Sequence, residues 1–223
     1  MTWEPLLLTF KLAAVTTGIL MLIGTPLAYG LAYGRFRGKP VVEALVSMPL
    51  VLPPTVLGFY FLLAFSPQNI FGQWLNDAIG LRLVFSFTGL VLASVIYSLP
   101  FMVQPLQSGF QGLSNSLREA AQLMGKSRRE TLIRVLLPNM KASVLTGIVL
   151  SFAHTVGEFG VVLMIGGSIP GQTKVASIAI YEQVEAMNYE AANLYSGVLF
   201  TITFLILLLV YVVNGQFLKR RGI

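Results

Sequence analysis

The chain has 223 residues and a formal net charge of +6, with 55% hydrophobic and only 11% charged residues. Soluble domains carry about 25% charged residues, so this composition cannot cover a core with polar surface, and a water-soluble enzyme is excluded. There is no cysteine and a single histidine, His154; disulfides, thiolate metal sites, thiol nucleophiles and multi-histidine metal centres are therefore excluded as well.

The uncharged stretches, taken in chain order, give the organisation. The first runs from Leu12 to Gly34, between Lys11 and Arg35. It is too long for the apolar core of a signal peptide, and Lys11 is a weak basic lead for one, so it reads as the first span. A bilayer core needs roughly 20 apolar residues per helix. On that measure spans are expected at about 10–34, 44–65, 87–110, 142–166 and 192–217, the fourth interrupted by His154 and Glu158. The expectation is an all-α integral membrane protein, a single domain over 1–223 with five transmembrane helices. No internal repeat or low-complexity tract is present.

Basic residues orient these spans. Arg35, Arg37 and Lys39 lie in the first loop, Arg118, Lys126, Arg128, Arg129, Arg134 and Lys141 in the third, and Lys219, Arg220 and Arg221 at the C-terminus. With five spans all of these share one side, leaving Lys11, Arg82 and Lys174 on the other. The positive-inside rule puts the C-terminus in the cytoplasm and the N-terminus outside. The basic excess is thus a topology signal, and no nucleic-acid partner is expected.

Pro26, Pro49, Pro53, Pro54, Pro100 and Pro105 lie in or beside spans. A proline removes a backbone donor and kinks a helix, which is tolerated where protein or water re-satisfies the freed groups. Pro53 and Pro54 therefore face protein or a pathway, or form a packing kink; the sequence leaves both open.

The third loop, 113–138, carries the most information. Leu113, Leu117, Ala120, Ala121 and Met124 recur at helical spacing, which predicts a short amphipathic helix, either presented to the cytoplasm or lying on the lipid surface. Gly125 suits its C-terminus, and Lys126, Arg128 and Arg129 suit the negative end of its dipole. Ala120–Ser127, AAQLMGKS, loosely matches a phosphate-binding loop. Such a loop follows a strand, whereas here a helix precedes the glycine, so nucleotide binding is not expected.

Three residues separate Glu119-Ala120-Ala121 from Gly125, and nine more precede Val135-x-Leu137-Pro138. This pattern resembles the EAA loop of ABC importer permeases of type I, with valine where isoleucine is more usual. The resemblance covers nearly the whole chain. It implies that Glu119, Ala120, Ala121, Gly125, Val135, Leu137 and Pro138 form a coupling element that docks on a separate cytoplasmic ATPase. It implies a homodimer in the inner or plasma membrane, served by an extracytoplasmic binding protein. ATP and Mg belong to the partner ATPase, and this chain holds no cofactor, metal or catalytic residue.

Within the family, Met48–Val56, Gly157–Gly160 and Ser168–Thr173 are similar to the molybdate permeases. The first two are shared with sulfate permeases, and the Ile169-Pro170-Gly171-x-Thr173 loop favours molybdate. Sulfate or thiosulfate, and tungstate, remain as alternative substrates. At His154 relatives commonly carry arginine. A stand-alone secondary transporter or channel is the alternative of another class. It would need a coupling-ion site, for which the intramembrane charges are too few.

On this reading the hydroxyls of Thr55, Ser151 and Thr155 are expected to line an anion route, since they donate without fixed charge. His154 and Glu158 are spaced i, i+4 and so share a helix face. Ionisable groups inside a membrane are functional candidates, yet a bare carboxylate repels a dianion. Glu158 also lies 17 residues beyond Lys141, roughly 25 Å at the helical rise and near the outer interface. Its carboxylate is expected to accept backbone hydrogen bonds around Gly157 and Gly160; a gate is the other reading.

Overall fold

In lipid a backbone must satisfy its own hydrogen bonds, so apolar segments become helices. The computed structural model describes residues 2–219, and among the described residues every regular element is helical. Arg220 and Arg221, part of the basic C-terminus, lie outside the described residues.

Helix α1 (Glu4–Tyr33) starts with Glu4 and Pro5 in its first turn, an acid for the dipole and a proline where no N–H is required. It carries Pro26 within it. Helix α2 (Lys39–Leu50) ends in a 3-10 turn, and α3 (Pro54–Phe65) leaves it at 109°. The expected unbroken span 44–65 is thus a sharp bend. Pro53 lacks an N–H and biases Leu52 away from helix. Pro54 does the same to Pro53, which is extended at φ −55°, ψ 136°.

Helix α4 (Ile70–Ile79) is capped by Asn69, whose side chain accepts from the Phe71 N–H, and stops at Gly80 with φ +67°. Helix α5 (Phe87–Gln111) starts at Ser86, whose hydroxyl accepts from the Gly89 N–H, and contains Pro100 and Pro105. Helix α6 (Asn115–Leu123) and α7 (Arg128–Asn139) fill the third loop. Thr131–Leu136 within α7 is π-helical. Pro138 has no N–H to offer the preceding turn, and the Asn139 side chain donates to the Val135 carbonyl at 2.7 Å. Helix α8 (Lys141–Val156) and α9 (Gly160–Gly166) share the expected fourth span, which is broken at Gly157–Phe159. Helices α10 (Ala176–Glu185) and α11 (Tyr189–Lys219) complete the chain.

Three helices, α1, α5 and α11, are each long and apolar enough to cross a membrane; counting the bent pairs α2–α3 and α7–α8 as one span each gives up to five. Helices α1, α5 and α8 pack on one another around Leu12, Leu20, Leu90, Met102, Leu106 and Phe110. Glycines permit the approach. A Cβ on Gly24 would lie 3.0 Å from the Met102 side chain, and one on Gly147 3.1 Å from its sulfur. Small residues of this kind let helices in lipid come close enough for van der Waals contact. Helix α3 is held on α9 in the same way: a Cβ on Gly58 would meet that of Met164 at 2.7 Å. The exposed face of α11 is Phe200, Phe204, Leu205 and Leu208, a lipid-facing composition.

Candidate functional site

Two regions carry the residues singled out by sequence. The first is the segment 113–138. Ser114 caps α6, its hydroxyl accepting from the Ser116 N–H. Ala121 is the buried residue of α6 and packs toward α7, whose own buried residues are Thr131 and Leu136. Glu119 and Ala120 are exposed. The helix ends in a Schellman motif. The Lys126 N–H donates to the Ala121 carbonyl at 3.0 Å and the Gly125 N–H to the Gln122 carbonyl at 2.9 Å. Gly125 is left-handed at φ +70°, a conformation that favours glycine. Leu123 and Met124, immediately before this turn, are 90% and 75% exposed. They form an apolar knob at the end of an otherwise polar helix.

The following turn is closed by reciprocal hydrogen bonds. The Ser127 hydroxyl accepts from the Glu130 N–H at 3.2 Å, and the Glu130 carboxylate accepts from the Ser127 N–H at 3.3 Å. This capping box holds the exposed Glu130 carboxyl below the usual carboxylate range. Val135 and Leu137 are half-buried and Pro138 is exposed. The segment is tied to the core by Leu136, with Leu113, Leu132 and Leu137 packed beside it, and by the Arg118 guanidinium, which lies 4.5 Å above the Tyr33 ring, whose hydroxyl donates to the Phe110 carbonyl at 2.8 Å. As for AAQLMGKS, α6 precedes Gly125 and the chain turns left-handed there. The strand–loop–helix that cradles a phosphate is not the geometry of this segment.

The second region surrounds the break between α8 and α9. Ser98 on α5 bonds two residues of α8, His154 Nδ1 at 2.9 Å and Thr155 Oγ1 at 3.1 Å. Thr155 also donates to the Ser151 carbonyl at 2.9 Å. The His154 ring stacks on Phe101 with centroids 3.9 Å apart. Ser151 and Thr155 are buried inside the packed helices and do not sit on an open face of this chain; Thr155 joins α8 to α5 through Ser98, whereas the Ser151 hydroxyl has no hydrogen-bond partner. Thr55 is exposed, at the start of α3.

Helix α8 ends at Val156 with Gly157 as its cap. Glu158 is therefore outside the helix, and the expected shared face with His154 is not formed. Its side chain is 4% exposed, and neither carboxyl oxygen has a hydrogen-bond partner. The expected backbone bonds around Gly157 and Gly160 are not made by this carboxyl. The Glu158 backbone carbonyl instead accepts from the Ser177 hydroxyl at 2.7 Å, tying the break to α10. The proline pair meets the same place, because a Cβ on Gly160 would lie 2.9 Å from that of Pro54. Two sequence segments about a hundred residues apart are thus one structural joint.

The loop 168–173 is a β-turn with Pro170 and Gly171 at its centre, closed by the Gln172 N–H on the Ile169 carbonyl at 3.2 Å, with Gly171 at φ +73°. Those are the residues such a turn demands. The buried Thr173 hydroxyl donates to the Gly166 carbonyl at 2.7 Å and accepts from the Ile169 N–H. Lys174 and Ser168 both reach the Glu182 carboxylate. Burial works against the charge on Glu182, but Lys174 and Ser168 outweigh it and hold its carboxyl below the usual range.

Sequence reasoning missed a polar strip on α2 and α5. Gln104 Nε2 donates to Ser47 Oγ at 3.3 Å, and Gln107 Nε2 donates to Glu43 at 2.9 Å. The signal was present, since Lys39, Glu43 and Ser47 recur every four residues.

Residues 21–221 match the family described as the inner membrane component of binding-protein-dependent transport systems. The chain is 46% identical over 205 residues to the molybdenum transport system permease protein ModB of Azotobacter vinelandii, covering 92% of this chain and 90% of that one. It is 31% identical to a probable sulfate transport system permease protein of Prototheca wickerhamii, covering 95% of this chain and 83% of that one. Its fold is similar to a solved bacterial ABC transporter involved in the import of the acidic polysaccharide alginate. That match has a TM-score of 0.74 at 15% identity and covers 97% of this chain and 80% of the other.

Proposed function

The chain belongs to the family of binding-protein-dependent transport system inner membrane components, and from that premise we propose that it is the permease subunit of an ATP-driven importer of molybdate. It spans the membrane five times as one transmembrane domain, with the N-terminus outside and the C-terminus in the cytoplasm. Two copies enclose the anion route. A separate ATPase docks below and a molybdate-binding protein above. The chain is not itself catalytic; ATP hydrolysis belongs to the partner.

The observation that carries this reading is the end of α6. An apolar knob of Leu123 and Met124 stands at a left-handed glycine on the most basic loop. Large apolar side chains so exposed outside lipid mark a docking surface. With the third loop in the cytoplasm, the occupant is the ATPase, and Glu119, Ala120, Ala121, Gly125, Val135, Leu137 and Pro138 are the coupling element. ATP binding draws the two ATPases together, and α6 moves with them. Its contact through Arg118 and Tyr33 passes the motion to α1 and α5. The joint of Pro53, Pro54 and the Gly157–Gly160 break is where α3 and α9 pivot. Thr55, exposed beside that joint, lines the route. His154 and Thr155, through Ser98, hold α5 to α8 as one body, and the buried Ser151 lies one turn before Thr155.

The 46% identity to a molybdenum permease against 31% to a sulfate permease supports molybdate, as does the Pro170–Gly171 turn on the outer side. Deleting the gene should lower the activity of molybdenum enzymes, with recovery at high external molybdate. A mutant that needs reduced sulfur and keeps its molybdenum enzymes would make this a sulfate permease.

A further inference from the structure

Gln104 is 17 residues into α5, about 26 Å along the helix, and so still inside the span with roughly 10 Å of helix below it. It is nevertheless exposed, as is Ser108 one turn further on. The other exposed faces at this depth are hydrocarbon, as on α1 at Leu22 and Ile23 and on α11 at Phe204, Leu205 and Leu208. An amide facing lipid forfeits its hydrogen bonds, and polar groups at membrane depth line water or meet protein.

Helix α2 supplies the facing wall. Lys39, Glu43 and Ser47 lie on one side of it, while Val41, Leu45 and Met48 are exposed on the other. Ser47 is joined to Gln104 and Glu43 to Gln107. Only one of the two Gln104 amide hydrogens is used by that single bond. Several hydroxyls on span faces are already committed. Thr25, Thr146 and Thr201 each donate to the carbonyl four residues before them. The one acid on the strip is offset, since Glu43 has Lys39 at 3.9 Å and the Gln107 amide at 2.9 Å.

We propose that Gln104, Ser47 and Ser108 line a water-filled half of the anion route on the coupling-segment side, with Gln104 as an uncharged donor to the passing oxyanion. This rests on the permease reading and names where in the chain the anion passes. A tetrahedral oxyanion offers acceptors on every face, and a side-chain amide offers donors without the deep trap of a fixed cation. Such a lining lets the anion exchange water for protein and leave again.

The test uses the cysteine-free background and the assembled transporter in inside-out vesicles. Gln104→Cys, Ser47→Cys and the lipid-face control Leu205→Cys are exposed to a charged, water-soluble methanethiosulfonate. Total thiol is counted after denaturation, so that each rate refers to chain actually present. Gln104→Cys and Ser47→Cys should react at least about tenfold faster than Leu205→Cys, because thiolate chemistry needs water. Equal rates would overturn the proposal. In the second arm Gln104→Leu should lower anion uptake on the order of tenfold, as expected for loss of one hydrogen bond to a charged group, while ATP hydrolysis continues. Gln104→Asn should restore part of that loss. Undiminished uptake by Gln104→Leu, or uptake and hydrolysis lost together, would also overturn it. If wild-type vesicles carry sulfate and not molybdate, the substrate reading falls while the labelling result still decides the lining.

Discussion

Replacing Gly125 separates a coupling role from a packing role, because the structure isolates its cost. Gly125 sits at φ +70°, and a Cβ built there meets nothing within 4 Å. Alanine therefore adds no clash, and its penalty is the left-handed backbone alone, roughly 1–2 kcal/mol. That shifts the local balance between this turn and its competitors by a factor of about 5–30. Asparagine tolerates the left-handed region better than alanine and should lose less. Glutamate carries the same backbone penalty and sets a carboxylate beside the exposed Leu123 and Met124. None of these changes touches the core of α1, α5 and α8, so the amount of chain in the membrane should not fall. In the reconstituted complex, ATPase stimulation by the loaded binding protein and anion uptake should both decline from wild type through Gly125→Asn and Gly125→Ala, with Gly125→Glu inactive. Normal uptake by Gly125→Glu would refute the coupling assignment. A loss of inserted chain in parallel with uptake would show that the residue serves folding instead.

Three other outcomes follow from the same geometry. Single cysteines at Asn76 and Gly171 should react with an impermeant reagent in whole cells and those at Gly38 and Gly125 should not; the reverse pattern would invert the topology. The purified subunit should not be photo-labelled by azido-ATP at Ala120–Ser127, and labelling that is lost on Lys126→Ala would contradict the docking-helix reading. The Glu182 clamp should depend on pH with a defined sign. Its carboxyl is held below the ordinary 4.5, so its contribution is present above that value and lost as pH falls through the lowered one. Protection factors at 168–174, taken against the intrinsic exchange rate at each pH, should fall in wild type as pH drops through that lowered value, and Lys174→Met should show the lower protection already at neutral pH; no difference between the two would remove the clamp.

The long spans α1, α5 and α11 were legible because each is an uninterrupted apolar run, which lipid forces into helix. The left-handed turn at Gly125 was legible because glycine placement there reports a backbone need. The bend at Pro53 was visible as a proline, but its 109° is set by the packing of α3 on α9 through Gly58 and Gly160, which local sequence does not encode. The interruption at Glu158 was visible, but the helix stop beside it was not, because Gly157 and Gly160 read as hydrogen-bond partners of its carboxylate and not as the cap and restart of two helices. Helix α4 was overlooked although Asn69 and Gly80 are ordinary start and stop signals. Glu158 was given partners by its neighbours in sequence, whereas the chain turns there and leaves its carboxyl buried with no hydrogen-bond partner. The strip at Gln104 escaped because the spans were read by charge, and amides carry none.

The central claim is tested most directly by anion accumulation in proteoliposomes that hold this chain, its ATPase and its loaded binding protein. Labelled molybdate should accumulate only with ATP inside the compartment facing the ATPase, and a large excess of sulfate should not suppress it. Accumulation of sulfate in place of molybdate, or molybdate accumulation that persists without ATP, would contradict the account.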